Sequence, residues 1–160
     1  MLQTAATGMA VDSVARLKEA LEALPSSQRL SRTDTEAIYA LAYQFVAQGR
    51  FEAAYRYFSL LTVYQPTDTA YLSGLALSAK MLQRYGEALS VYSFLAALDA
   101  REPQHTLSIV ECLLLLGAYD EARSTLDLVM RFCKEEGGHD KAGERAEALA
   151  AMLRAGGSPG

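Results

Sequence analysis

Cys133, His139 and Asp140 come nearest to a catalytic set in this chain. A thiol beside an imidazole is the start of a nucleophile and base pair, with an acid to orient the ring. The pattern does not build one, because Gly137 and Gly138 interrupt the chain between thiol and ring, and closeness in sequence says nothing of geometry. His105 and Glu111 are six residues apart on one helical segment. That is not a metal-ligand spacing such as i, i+4. No glycine-rich phosphate loop is present. The expectation is a protein that is not an enzyme and takes no cofactor and no metal.

Binding is the function left open, and composition narrows the partner. The 160 residues are 51% apolar and 21% charged with net charge −4, which fits one globular domain able to bury a core without metal or disulfides. A nucleic-acid binder needs a broad basic surface, so DNA and RNA are set aside. Cys112 and Cys133 lie in segments of helical pattern, where thiols act as small core residues, and a reducing cytosol suits them. MLQTAATGMAV at the start lacks a basic side chain, unlike a secretory signal. CLLLLGA, from Cys112 to Ala118, is too short to span a bilayer. The chain is expected to stay soluble inside the cell, with no direct membrane insertion.

Three segments recur at an interval of 34 residues: GRFEAA from Gly49, QRYGEA from Gln83 and GAYDEA from Gly117. Aligned on Phe51, Tyr85 and Tyr119, other positions fall into register. Leu41, Leu75 and Ile109 stand ten before, Ala54, Ala88 and Ala122 three after, Phe58, Tyr92 and Leu126 seven after, and Leu61, Leu95 and Val129 ten after. This period and these residue types resemble the tetratricopeptide repeat. Glycine at Gly49 and Gly117 suits the left-handed residue that ends a first helix, and the alanines let two helices approach closely. Gln83 departs from the pattern, so the turn there is expected to form with some local strain or with a non-glycine residue in the left-handed region.

The resulting fold class is all-α, a right-handed superhelix of three helical hairpins (35–68, 69–102 and 103–136) between flanking N- and C-terminal helices. Thr33 with Glu36 has capping-box spacing, with Asp34 or Thr35 as further caps. Thr67 or Asp68 caps the second unit, and Pro103 suits the opening turn of the third. Residues 11–34 hold an N-terminal helix with Val14, Leu17, Leu21 and Leu24 on one face, ended by Pro25, and a linker. Residues 139–155 form a C-terminal capping helix, as a repeat array needs. Residues 1–10 and 156–160 are expected to be flexible.

Stacked hairpins of this kind bind along the concave wall made by their first helices. With Leu41, Ala42 and Phe45 turned to the second helix, Tyr39, Tyr43, Val46 and Ala47 point away from it. The same offsets select Ser73, Gly74, Leu77, Lys80 and Met81 in the second unit, and Leu107, Glu111, Leu114 and Leu115 in the third. Such a wall is apolar and aromatic, suited to an extended apolar peptide. Lys80 is its one cation.

The stretches IYALAYQFVAQGRFEAAYRYFSLLTVYQPTD, YLSGLALSAKMLQRYGEALSVYSFLAALDAREP and VECLLLLGAYDEARSTL resemble the class II chaperones of bacterial type III secretion systems, the LcrH/SycD-like family. The resemblance runs from about Thr35 to Val129, and Tyr71, Gly74, Leu75, Ala76 and Pro103 are its more specific part. It implies a cytoplasmic chaperone that holds an extended segment of hydrophobic translocator proteins in its groove, with Tyr39, Tyr43, Val46, Gly74 and Leu77 at groove positions. Secretion-apparatus components are a further implied contact. It also implies a homodimer through the N-terminal helix, which gives Val14, Leu17 and Leu21 a use. The competing reading is a tetratricopeptide adaptor, or a chaperone for another secreted component such as a needle subunit.

Overall fold

The computed structural model describes residues 12, 15–25 and 28–156. Val14, the flexible segment expected at 1–10 and all but Gly156 of the one expected at 156–160 lie outside them. Among the described residues there are eight helices and no strand: α1 (15–22), α2 (Arg32–Ala47), α3 (Phe51–Tyr64), α4 (Thr69–Met81), α5 (Tyr85–Leu98), α6 (Pro103–Leu115), α7 (Tyr119–Glu136) and α8 (Asp140–Ala155). The all-α class expected from the repeat is the one observed. Two compact units divide the chain, residues to Ser78 and residues from Ala79, with the boundary inside α4.

Helix starts follow side-chain chemistry. α2 begins earlier than the Thr33 and Glu36 pairing suggested, because Ser31 and Asp34 close the reciprocal box instead. Ser31 N–H donates to Asp34 at 2.8 Å and Asp34 N–H to the Ser31 hydroxyl at 3.1 Å. Those bonds hold the Asp34 carboxyl below its ordinary range. Glu36 turns to Arg32, 3.0 Å away. Asp68 caps α4 by accepting from the Ala70 and Tyr71 N–H groups at 2.9 and 3.0 Å. Pro103 opens α6, where no intrahelical donor is missed, and Glu102 accepts from Gln104 N–H.

The hairpin turns share one hydrogen-bond pattern. After α2, Gly49 N–H reaches Val46 O at 3.0 Å and Arg50 N–H reaches Phe45 O at 2.8 Å. After α6, Gly117 and Ala118 repeat this with Leu114 and Leu113, and after α4 Gln83 and Arg84 repeat it with Lys80 and Ala79. This is the Schellman closure, which requires its first residue in the left-handed region. Gly49 and Gly117 stand at φ 70° and 77°, and Gln83 at φ 62°. A side chain there is strained.

Each turn is followed, three residues after the helix start, by a fully buried alanine: Ala54 in the first unit, Ala88 and Ala122 in the second. Phe58 and Leu61 complete the first core with Ala42 and Tyr71. In the second, Leu107, Val110, Ala122, Leu126 and Val129 pack with Ala142 and Ala146 of α8. One register expectation is corrected. Leu41 is 36% exposed, while its neighbour Ala42 has no exposed surface, and Ala76 and Val110 at equivalent positions are also fully buried. A single step turns a helix by about 100°, enough to exchange a core position for a surface one.

Gly74 permits the closest approach in the first unit, since a Cβ there would meet the buried Phe58 ring at 2.3 Å. Gly74→Ala is therefore expected to lower stability by about 1–3 kcal/mol, partly restored when Phe58→Leu frees space. Gln83→Gly has the opposite sign, a gain of about 0.5–1 kcal/mol from relieved strain. Thermal and urea unfolding of the variants measures both.

Candidate peptide-binding faces

In the first unit the tyrosines of α2 form part of an aromatic cluster. Tyr39 and Tyr43, one helical turn apart, meet edge to face at 4.9 Å between ring centroids. Tyr39 also lies 5.4 Å from Tyr71 and 6.2 Å from Phe58, and Tyr43 lies 5.7 Å from Phe58. Each such pair adds about 0.5–1.5 kcal/mol beyond area burial, so the rings stand in fixed positions. Tyr39 is half-buried, whereas Tyr43 is 46% exposed. Burial, with the hydrogen bond to Tyr43 and nearby Asp68 and Tyr71, pushes the Tyr39 phenol up to about 12. It remains a neutral hydroxyl throughout the physiological range.

Other residues selected in this unit divide between surface and packing. Val46 packs at the edge of the aromatic cluster and Ala47 is exposed. Leu77 and Ser73 are half-buried on α4. Gly74 is buried against Phe58, so its role is helix packing and not contact with a ligand. Phe45 stacks on Tyr57 at 5.5 Å under the Arg50 guanidinium, which fixes the α2 to α3 hairpin beside the cluster.

The second unit carries a polar group that the sequence showed only in part. Lys80 Nζ donates to Glu111 Oε2 at 2.8 Å. Arg145, from α8, reaches the other carboxylate oxygen through Nε at 3.2 Å and through Nη2, and its Nη1 donates to Gln104 Oε1 at 2.6 Å. Burial raises the Glu111 carboxyl, but the hydrogen bonds and charges of Lys80 and Arg145 outweigh it and hold the group below its usual range. Nearby, burial together with Cys112 and Glu111 pushes Tyr92 up to about 12.

Leu107 leaves the set of candidate contacts: it has no exposed surface and belongs to the core. Met81 and Leu115 are exposed. Leu114 is half-buried and borders a groove of about 710 Å3 with Tyr119, Met152 and Leu153. In the N-terminal helix Leu17 is 45% exposed and Leu21 half-buried. Arg145 was missed because α8 was taken as a cap alone. The 34-residue period carries a signal for it: from Tyr43 the interval leads to Leu77, Glu111 and Arg145 in turn.

The residues considered for catalysis stay apart from such chemistry. Burial raises the Cys133 and Cys112 thiols, the opposite of an activated nucleophile. His139 packs its ring against Phe132 at 5.4 Å. Among the described residues no group of three or more metal-ligating side chains occurs, and no helix is long and apolar enough to cross a membrane.

Hairpins that turn on left-handed residues and cross at buried alanines define a tetratricopeptide-type helical-repeat protein. The tetratricopeptide repeat family matches residues 35–68 and 69–101. Low calcium response locus protein H of Yersinia pestis is 30% identical over 107 residues, 67% of this chain and 64% of that protein. PcrH, known from Pseudomonas aeruginosa, superposes in its complex with the chaperone binding region of PopB with a TM-score of 0.67 at 30% identity, over 75% of this chain and 97% of that one. The Yersinia enterocolitica chaperone SycD, in complex with a peptide of the translocator YopD, gives a TM-score of 0.62 at 28% identity, over 76% and 96% of the two chains. The chain belongs to the LcrH/SycD-like family of class II type III secretion chaperones. Its matched stretch spans a little under two thirds of the Yersinia pestis protein, 64% of that length.

Glu111→Gln leaves two half-buried cations without their carboxylate and is expected to cost about 1–3 kcal/mol at neutral pH. The Glu111 carboxyl is lowered on folding from 4.5, so its contribution is complete above that pH and is lost as pH falls through the folded value. Thermal unfolding between pH 7 and 3 should therefore show a steeper acid loss in the wild type than in Glu111→Gln.

Proposed function

We propose that this chain is a cytoplasmic chaperone of a bacterial type III secretion system that covers an extended apolar segment of hydrophobic translocator proteins, keeping them soluble until secretion, with no catalysis of its own. The single observation that carries the reading to this chain is the exposed Tyr43 held on a rigid aromatic bed. A phenol at that position offers apolar area to a client side chain and a hydroxyl to its backbone. Tyr39, Val46, Ala47 and Leu77 extend the same contact surface. Met81, Leu114 and Leu115 supply apolar contacts in the second unit.

Relatives support the client class. PcrH is seen with the chaperone binding region of PopB and SycD with a translocator peptide. A translocator has to enter a bilayer, so its apolar segments aggregate in water unless covered. Covering removes apolar area at about 25 cal/mol per Å2, offset by the ordering of the peptide. The adaptor reading, in which acidic C-terminal peptides sit on a floor of cations and amides, is less favoured. Glu111 neutralises one of the two cations Lys80 and Arg145, leaving a single surplus positive charge, and most of the remaining candidate contacts are apolar.

The same family reading makes the chain a homodimer through its N-terminal helix, with Val14, Leu17 and Leu21 as contacts. SycD has itself been crystallised as a dimer, and the exposed Leu17 on a helix of charged neighbours is what a second copy would cover.

Tyr43→Asp and Leu77→Asp each should keep the helical circular dichroism and reduce client recovery at least tenfold, measured by co-expression with candidate translocators and needle subunits. Undiminished recovery by folded variants removes the peptide-binding face, and recovery of needle subunits alone selects the other client. Leu17→Asp should move the sedimentation coefficient from dimer to monomer without loss of client.

A further inference from the structure

Lys80, Glu111, Arg145 and Gln104 bring two cations onto one carboxylate, which leaves a local charge of +1 on a chain of net charge −4. The group is largely shielded: the side chains of Lys80, Glu111 and Arg145 are 21%, 24% and 35% exposed. Both Glu111 oxygens are engaged. The donors are not exhausted, because an ammonium has three N–H groups and a guanidinium five, of which one and three are used here. Both cations keep part of their side-chain surface exposed, so an incoming acceptor can approach the remaining N–H groups. They are free to take a further acceptor.

Position ties these donors to the apolar contacts of α6. Gln104, Ser108, Glu111 and Leu115 follow one another at intervals of three or four residues, which places them on one face of the helix. Glu111 pins both cations to that face, next to Leu114 and to the exposed Leu115. An oxygen arriving there meets partly desolvated, charged N–H donors, where such bonds are roughly twice as strong as neutral ones.

We propose that Lys80 and Arg145, positioned by Glu111, form a subsite for one client side-chain carboxylate, an aspartate or glutamate adjoining an apolar anchor. The inference rests on the peptide-binding reading and names a further feature of the segment bound. One surplus positive charge suits a single carboxylate and not the several charges of an acidic tail. Glu111 is a positioning residue here, since its own oxygens face the cations.

The test selects twelve-residue peptides from a random displayed library on the full chain, in wild type, Lys80→Gln and Arg145→Lys. Lys80→Gln leaves both Arg145 contacts to Glu111 Oε1 in place, and Arg145→Lys keeps the charge while losing the fork. Wild type is expected to select an acidic residue at a constant distance from an apolar anchor, and Lys80→Gln the same anchor without the acid. By fluorescence anisotropy, Asp→Asn or Glu→Gln in a selected peptide should weaken wild-type binding about tenfold and Lys80→Gln binding less than twofold. Arg145→Lys should fall between. Apolar anchors selected with no fixed acid, or the same acid in Lys80→Gln, overturn the subsite and leave the peptide-binding face standing. Absence of apolar anchors overturns both.

Discussion

A single backbone residue held at positive φ closes each hairpin, and the rest of the architecture follows from that closure. When Gly49, Gln83 or Gly117 enters the left-handed region, two N–H groups fold back onto the preceding helix. The next helix then starts two residues later, at Phe51, Tyr85 or Tyr119. This fixes where Ala54, Ala88 and Ala122 meet the crossing, and a side chain larger than a methyl group would hold the helices apart. Repetition of one turn thus becomes repetition of one core.

The close approach also explains how apolar surface can remain outside that core. In the first unit the largest fully buried residues, Phe58 and Leu61, come from α3. The aromatic rings of the first helix then rest on this layer from above. Tyr39 sinks between Phe58 and Tyr71, and Tyr43 stands over Phe58 with nearly half its surface free. Edge-to-face packing holds such rings in place without covering them. In the second unit the corresponding place on α6 is held by a charge, Glu111, which is kept ionised by two cations. One scaffold therefore presents an aromatic contact in one unit and a charged one in the other.

Much of the fold was legible before any coordinate because glycine, alanine and proline act through the backbone at their own positions. The interval of 34 residues and Pro103 at a helix start followed from such local rules, and the left-handed region was one of two readings for Gln83. The α2 cap was placed two residues late, since Ser31 and Asp34 have the same capping-box spacing as Thr33 and Glu36. The facing of the binding residues was read partly wrong. Leu41 was assigned inward and Leu107 outward, and both are the reverse, because a one-residue phase error on a helix is invisible to periodicity when apolar residues lie on adjacent positions.

What the sequence by itself determined is the all-α class, the repeat, its turns and the aromatic character of the first helix. These depend on residue type and spacing alone. Only the tertiary structure decided that Gly74 serves Phe58, that Leu107 is core, and that Arg145 crosses from α8 to share Glu111 with Lys80. The physical reason is that a contact between side chains 31 or 34 residues apart depends on how helices rotate and settle against one another. Local backbone preference carries no record of that rotation.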